Sequence, residues 1–235
     1  IWTLAHPAGL VKKKTLILGI GFSRFPREGR VSKCAAVMHD SYGNKITWDV
    51  YAAPALERTI TKQRFDLLLQ KVYDEYFEQE RPERILIYRT GMLYQTESEI
   101  INNSIREASW LNDIEFAFVS VLDSSSFRFC RLQNGYKNVP PGYGIVLNDS
   151  EGMISTSNHD DRELRQGTVV PVQLKIELGK DEIVNIMTEY HDLTYLYWLA
   201  PQTTAKQPLV LKIAQKFSER TRDNIPTDSL FYLDL

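Results

Sequence analysis

The sequence predicts one α/β domain built around a mixed central sheet flanked by helices, and three observations carry that prediction. Leu16-Ile17-Leu18-Gly19-Ile20 is apolar on both faces, as a strand buried in the middle of a sheet must be. Helix-length amphipathic segments alternate with the strand-like runs that follow. At 235 residues the chain is long enough to bury a full core, yet no internal repeat or low-complexity linker divides it.

Strands are expected at 15–22, 31–39, 45–52, 84–89, 115–122, 127–131, 143–148, 152–157 and 169–178. Each is rich in β-branched and aromatic residues, and turns such as Ser41-Tyr42-Gly43-Asn44 and Pro140-Pro141-Gly142 bound them. Helices are expected at 61–80, 95–109, 180–198 and 207–222. The first opens at Thr59 or Thr61 and spaces Phe65, Leu68, Leu69 and Val72 along one face. The second begins Gln95-Thr96-Glu97-Ser98-Glu99, with acids in the first turn, before Ile100, Ile101 and Ile105.

Bulk charge narrows the function classes. With 28 basic against 30 acidic residues, any nucleic-acid surface must be local. Cys34 and Cys130 each sit in an apolar strand-like run and read as buried free thiols, not as a disulfide or metal pair. No stretch has the apolar length of a membrane span and no signal peptide is visible, so a cytoplasmic location is expected. The chain starts at Ile1 in what reads as a linker, so the expectation is the C-terminal portion of a longer protein.

Several short patterns, in fixed order, resemble the PIWI domain of Argonaute proteins. The first strand of that family reads Gly-Ile-Asp-Val-Ser, and here the stretch is Gly19-Ile20-Gly21-Phe22-Ser23. A later strand reads Tyr-Arg-Asp-Gly, and here it is Tyr88-Arg89-Thr90-Gly91. Ser126-Phe127-Arg128-Phe129 is similar to the family's Arg-Phe-Phe strand end, and Asn138-Val139-Pro140-Pro141-Gly142-Tyr143 to its proline-glycine turn. Gln166-Gly167-Thr168-Val169-Val170-Pro171, Leu193-Thr194-Tyr195-Leu196-Tyr197-Trp198 and the apolar close Phe231-Tyr232-Leu233-Asp234-Leu235 complete the series. The resemblance runs over essentially the whole chain. It implies a ribonuclease H-like fold, which agrees with the order of three strands, a helix, a strand, a helix and another strand. It also implies a middle domain upstream of residues 1–235.

The departures from that pattern bear on chemistry. Two-metal phosphodiester cleavage needs clustered carboxylates. Gly21 has no side chain, Thr90 offers a neutral hydroxyl, and the late position of the cluster falls near Leu211 to Ile213, where Ile213 supplies nothing. The resemblance therefore implies a cleavage-inactive domain like that of short prokaryotic Argonautes. Such a domain binds guide RNA or DNA and a complementary target, DNA by expectation. It acts in defence with an effector such as a TIR- or sirtuin-type APAZ protein.

Phosphate recognition needs aligned cations and donors. On the last predicted helix Val210, Ile213, Ala214 and Phe217 form a packing stripe, while Lys212, Lys216 and Arg220 form a cationic one. Thr203, Thr204 and Lys206 precede it at the helix N-terminus, where amides favour anions. An ordinary solvated helix face is the alternative. Arg128 and Arg131 bracket a strand end and could reach a backbone or form a surface ion pair. By resemblance the C-terminal carboxylate of Leu235 would help hold Mg²⁺ or another divalent ion at the guide 5′ phosphate. Lys12 to Lys14 with Arg24, Arg27, Arg30 and Lys33 make the N-terminal region locally basic. His159 with Asp160 and Asp161 reads as a solvated loop without a second histidine, not as a metal site. Two other functions compete: a divergent metal-dependent nuclease recruiting Asp49, Glu57 or Asp123, and a scaffold that docks an effector without touching nucleic acid.

Overall fold

The computed structural model describes residues 13–25, 31–40, 45–53, 59–77, 81–132, 136–156, 168–195 and 206–220. Its first strands are β1 (Thr15–Phe25), β2 (Val31–Asp40) and β3 (Lys45–Ala53), followed by helix α1 (Lys62–Val72), β4 (Arg84–Thr90), α2 (Gln95–Glu107) and β5 (Glu115–Leu122). A short ribbon, β6 (Cys130–Leu132) with β7 (Tyr136–Asn138), precedes β8 (Gly144–Asn148), β9 (Glu151–Ile154) and β10 (Val172–Leu178). Helices α3 (Ile183–Tyr195) and α4 (Leu209–Arg220) close the described part.

Eight strands make one mixed sheet in the order β3-β2-β1-β4-β5-β10-β9-β8. Only the central pairs β1–β4 and β4–β5 are parallel; β2 and β3 on one flank and β10, β9 and β8 on the other are antiparallel. The two-residue alternation of β1 sorts its side chains between two cores. Leu16, Leu18, Ile20 and Phe22 pack with Phe65, Leu68, Leu69 and Val72 of α1 and with Ile101 of α2. Ile17 faces the other way, into a core with α3 and α4 that also holds Tyr88, Tyr190 and Phe217. The sheet is thus covered on both faces, which is why its central strands read as unbroken apolar runs.

Several sequence expectations need correction. The helix expected over 61–80 leaves α geometry at Val72 and widens into a π turn, Tyr73–Phe77. There Tyr73 stacks on Phe77 at 5.0 Å, and both rings meet Trp110. Aromatic clustering outside the helix period reshapes that last turn. Thr61 occupies the N-cap of α1 but forms no side-chain cap bond. The strand expected at 127–131 shrinks to Cys130–Leu132 and pairs with β7, outside the main sheet. Cys130 is consequently exposed, not buried, because a two-stranded ribbon has no layer above it. The side chain of Cys34 lies outside the described part.

Buried charge is paired. Arg84, at the start of β4, donates to Glu189 at 2.6 Å and to Asp181 at 2.7 Å. Arg89, at the other end of the strand, meets Glu97 through Nη2 at 3.0 and 3.1 Å, with both side chains excluded from solvent. Glu97 also accepts the amides of Ile60 at 2.6 Å and Tyr94 at 3.1 Å. One carboxylate thereby joins the end of β4, the entry to α1 and the start of α2.

Candidate nucleic-acid interface

Gly21 and Thr90, which stand where the resembled pattern has aspartates, are neighbours. β1 and β4 run parallel with Ile20 opposite Arg89, so the next pair along the ladder is Gly21 beside Thr90. The Thr90 hydroxyl lies 3.5 Å from the carbonyl oxygen of Ile20. The sequence reading placed these residues together, and the fold does so at the C-terminal ends of the parallel strands, where sheets of this type present their ligands.

What stands over Gly21 is the backbone of α4. A Cβ at Gly21 would lie 2.5 Å from the Gln215 amide nitrogen and 2.7 Å from the Ala214 carbonyl carbon. A Cβ at Gly19 would lie 2.6 Å from both the carbonyl carbon and oxygen of Val210. Two residues further on, the Ser23 hydroxyl donates to the Ser218 carbonyl at 2.6 Å. Residues 19, 21 and 23 therefore meet 210, 214 and 218 in turn. The match is geometric: two strand residues advance about 6.6 Å and four helix residues about 6 Å. Small side chains on one face of β1 make a seat along which α4 lies backbone to backbone. Ile213 is buried in that packing, as are Val210, Leu211, Ala214 and Phe217.

The opposite side of α4 carries the cations. Lys212 and Lys216 are half-buried, not fully exposed, and with Lys206 they line an open groove of about 280 Å³. Gln207, Gln215 and Asp123 complete its wall, and Glu219 adds an acid at its end. The Lys206 ammonium donates to the Asp123 carbonyl, and Gln207 donates to the Asp123 carboxylate at 2.9 Å. These bonds tie the chain entering α4 to the end of β5. The Thr156 hydroxyl donates to the Lys206 carbonyl at 2.9 Å and fixes the same segment from the other side. Beneath, burial raises the Tyr190 phenol well above its ordinary range, and the Asp123 carboxylate adds to the effect. Gln207 and Gln215 were missed in the sequence. Gln215 was legible as a neighbour of Lys212 and Lys216 on the same helix face, whereas Gln207 had no local signal.

Other expected residues fall elsewhere. Arg128 is exposed and folds onto its own loop, with Nη1 donating to the carbonyls of Ser125 at 2.7 Å and Phe127 at 2.8 Å. Arg131 is half-buried in the ribbon. Thr203, Thr204, Glu57, His159 and Leu235 lie outside the described residues, as do the side chains of Arg220 and Asp49. Among the described residues no three of His, Cys, Asp and Glu are placed to share a metal ion. Gly21 and Thr90 do not fit a two-metal centre, because neither carries a carboxylate and α4 fills the space that one at position 21 would need. Among the described residues no helix is long and apolar enough to cross a membrane.

Comparisons with known proteins bear on the family and the fold. The Piwi domain family model matches residues 1–226. A structure of Marinitoga piezophila Argonaute, in complex with 5′ OH guide RNA and target DNA, superposes with a TM-score of 0.69 at 20% identity. It covers 97% of this chain and 32% of its own. The C-terminal lobe of a budding yeast Argonaute gives 0.70 at 18% identity, over 88% of this chain and 46% of that one. Kluyveromyces polysporus Argonaute with a guide RNA gives 0.69 at 18%, over 88% and 26%. The chain thus spans between about a quarter and a half of these Argonautes. No curated protein sequence matches it. A ribonuclease H-like sheet flanked by helices on both faces, together with a family match over nearly the whole length, assigns this chain to the Piwi domain family.

Proposed function

We propose that this domain holds a guide strand and its complementary target by their phosphate backbones and does not cut them. One observation supports the reading above the rest: α4 is seated in the Gly19–Gly21 notch and presents Lys212 and Lys216 to an open groove. The same helix takes the room of a catalytic carboxylate and supplies cations at a spacing suited to successive phosphates. Base pairing then carries the sequence specificity while the protein reads backbone shape. In this reading residues 1–235 act within a longer Argonaute-type protein with a middle domain upstream. An effector partner converts target recognition into prokaryotic defence. The terminal carboxylate of Leu235 shares a divalent ion with the guide 5′ phosphate.

The test is binding of single-stranded RNA and DNA guides by the wild type and by the Lys212→Glu/Lys216→Glu double variant, across a salt series. Loss of two phosphate contacts is expected to weaken binding at least about tenfold and to flatten the salt slope by about 1.4. A paired target is expected to remain intact with Mg²⁺ or Mn²⁺. An unchanged affinity and slope in the double variant, or metal-dependent cleavage at one defined phosphate, would overturn the reading.

A further inference from the structure

The groove on α4 is not a plain rail of cations. Lys206, Lys212 and Lys216 share its wall with two acids, Asp123 and Glu219. A surface that only neutralised phosphates would gain nothing from a carboxylate, because like charge repels the strand it has to hold. Glu219 stands toward the far end of α4 and accepts from Gln215 at 3.3 Å. Asp123 stands at the helix entry with Lys206, whose ammonium goes to the Asp123 backbone carbonyl and not to its carboxylate.

Among the described residues no cation cancels the Asp123 charge. Its carboxylate accepts one bond, from the neutral Gln207 amide at 2.9 Å. The Tyr190 hydroxyl beneath is fully buried and has no hydrogen-bond partner. An ionised carboxylate has about four acceptor positions and no donor, so whatever completes Asp123 in the groove must itself donate. The backbone of DNA carries acceptors only. The backbone of RNA carries one donor per nucleotide, the ribose 2′-hydroxyl, on the sugar between successive phosphates. Bases also donate, but in a guide they are turned to the target.

We infer that Asp123 distinguishes ribose from deoxyribose, and that the strand lying along α4 is RNA. The inference rests on the reading of this groove as a phosphate site. With Lys212 and Lys216 on successive phosphates, a 2′-hydroxyl donates to the Asp123 carboxylate while Gln207 holds that carboxylate in place. In DNA the same position sets a C2′ methylene against the acid, which loses water without gaining a donor and is repelled by the phosphates. A hydrogen bond to an ionised acceptor supports a preference of about ten- to a hundredfold.

The test titrates single-stranded guides of one sequence against the 235-residue chain, as wild type and as Asp123→Asn, with and without EDTA. The guides are RNA, DNA and 2′-fluoro RNA, which keeps the sugar shape of RNA but cannot donate. Wild type is expected to bind RNA at least about tenfold tighter than either of the others, in EDTA as well. Asp123→Asn keeps a partner for Gln207 and removes the charge. Its RNA preference is expected to fall to about threefold or less, chiefly because DNA binds better once the repulsion is lifted. A purely structural Asp123 would shift all guides alike and leave the preference unchanged, which overturns the inference. So does 2′-fluoro RNA that binds like RNA, since the preference is then for shape, or a preference that vanishes in EDTA, since Asp123 then serves a cation. Equal binding of RNA and DNA by wild type overturns it too, while the groove reading stands as long as Lys212→Glu/Lys216→Glu still weakens both. Full binding in that double variant removes the groove reading and this inference together.

Discussion

Placing aspartate at position 21 recreates the residue that the first strand lacks, and the structure gives the consequence a size. The added Cβ meets backbone atoms of Gln215 and Ala214 at 2.5 to 2.8 Å. Ordinary carbon contacts are about 3.5–4 Å, so α4 must retreat by about 1 Å. Retreat is opposed on either side by the close contact at Gly19 and the Ser23–Ser218 hydrogen bond. A gap of that size forfeits about a quarter to a half of each dispersion well along the seam. Leu209, Val210, Leu211, Ile213, Ala214 and Phe217 are all buried there. With full burial of a large apolar side chain worth about 1.5–3 kcal/mol, Gly21→Ala should cost about 3 kcal/mol. Gly21→Asp adds several kcal/mol for the desolvated carboxylate and approaches the whole stability of a domain this size. Gly144→Ala is the control. Its Cβ would also clash, at 2.3 Å, but with the terminal methyl of Met187, which can change rotamer, so the loss should stay below about 1.5 kcal/mol. Urea unfolding followed by circular dichroism measures all three. A Gly21→Ala variant within about 0.5 kcal/mol of wild type, or no less stable than Gly144→Ala, would show that α4 is not seated as described.

Two further outcomes follow from buried polar groups. Glu97→Gln leaves the Arg89 guanidinium buried without its counter-charge, and unfolding free energy should drop by about 3–5 kcal/mol, measured by the same denaturation. Tyr88 and Tyr190 are held neutral, their pKa values raised chiefly by burial. The unfolded chain releases those protons from about pH 10 upward while the folded one keeps them. Stability should therefore be level below pH 10 and fall above it. In the Tyr88→Phe variant that alkaline decline should be shallower in a pH series of thermal unfolding.

The legible parts of the fold are those in which a local pattern records a nearby partner. The apolar run 16–20 announced a central strand, and Val210, Ile213, Ala214 and Phe217 announced the buried stripe of α4. Cys130 misled because an apolar run does not say which sheet it joins, and its partner turned out to be a three-residue strand, Tyr136–Asn138. At Gly21 the sequence showed the missing carboxylate but not what replaces it. A glycine records nothing about the atom above it, and here that atom belongs to a helix nearly two hundred positions away. Gln207 stayed hidden for the same reason, and Asp123 was legible only as a spare acid, since the bond that brings the two into the groove joins segments distant in sequence. The chain end, where phosphate and metal chemistry was expected, lies outside the described residues.

The single carboxylate of Glu97 has a dynamic corollary. It accepts the amides of Ile60 and Tyr94 while engaging Arg89, whose Nη1 also donates to the carbonyls of Gly91, at 3.0 Å, and Met92. Opening the strand end or the first turn of α2 alone would strand a buried charge, and opening the approach to α1 alone would take an amide donor from that buried carboxylate. The three segments should therefore exchange their hydrogens with solvent in one shared event. The Ile60 and Tyr94 amides, far apart in the chain, would report the same opening free energy, as though a single latch held the strand end, the approach to α1 and the first turn of α2.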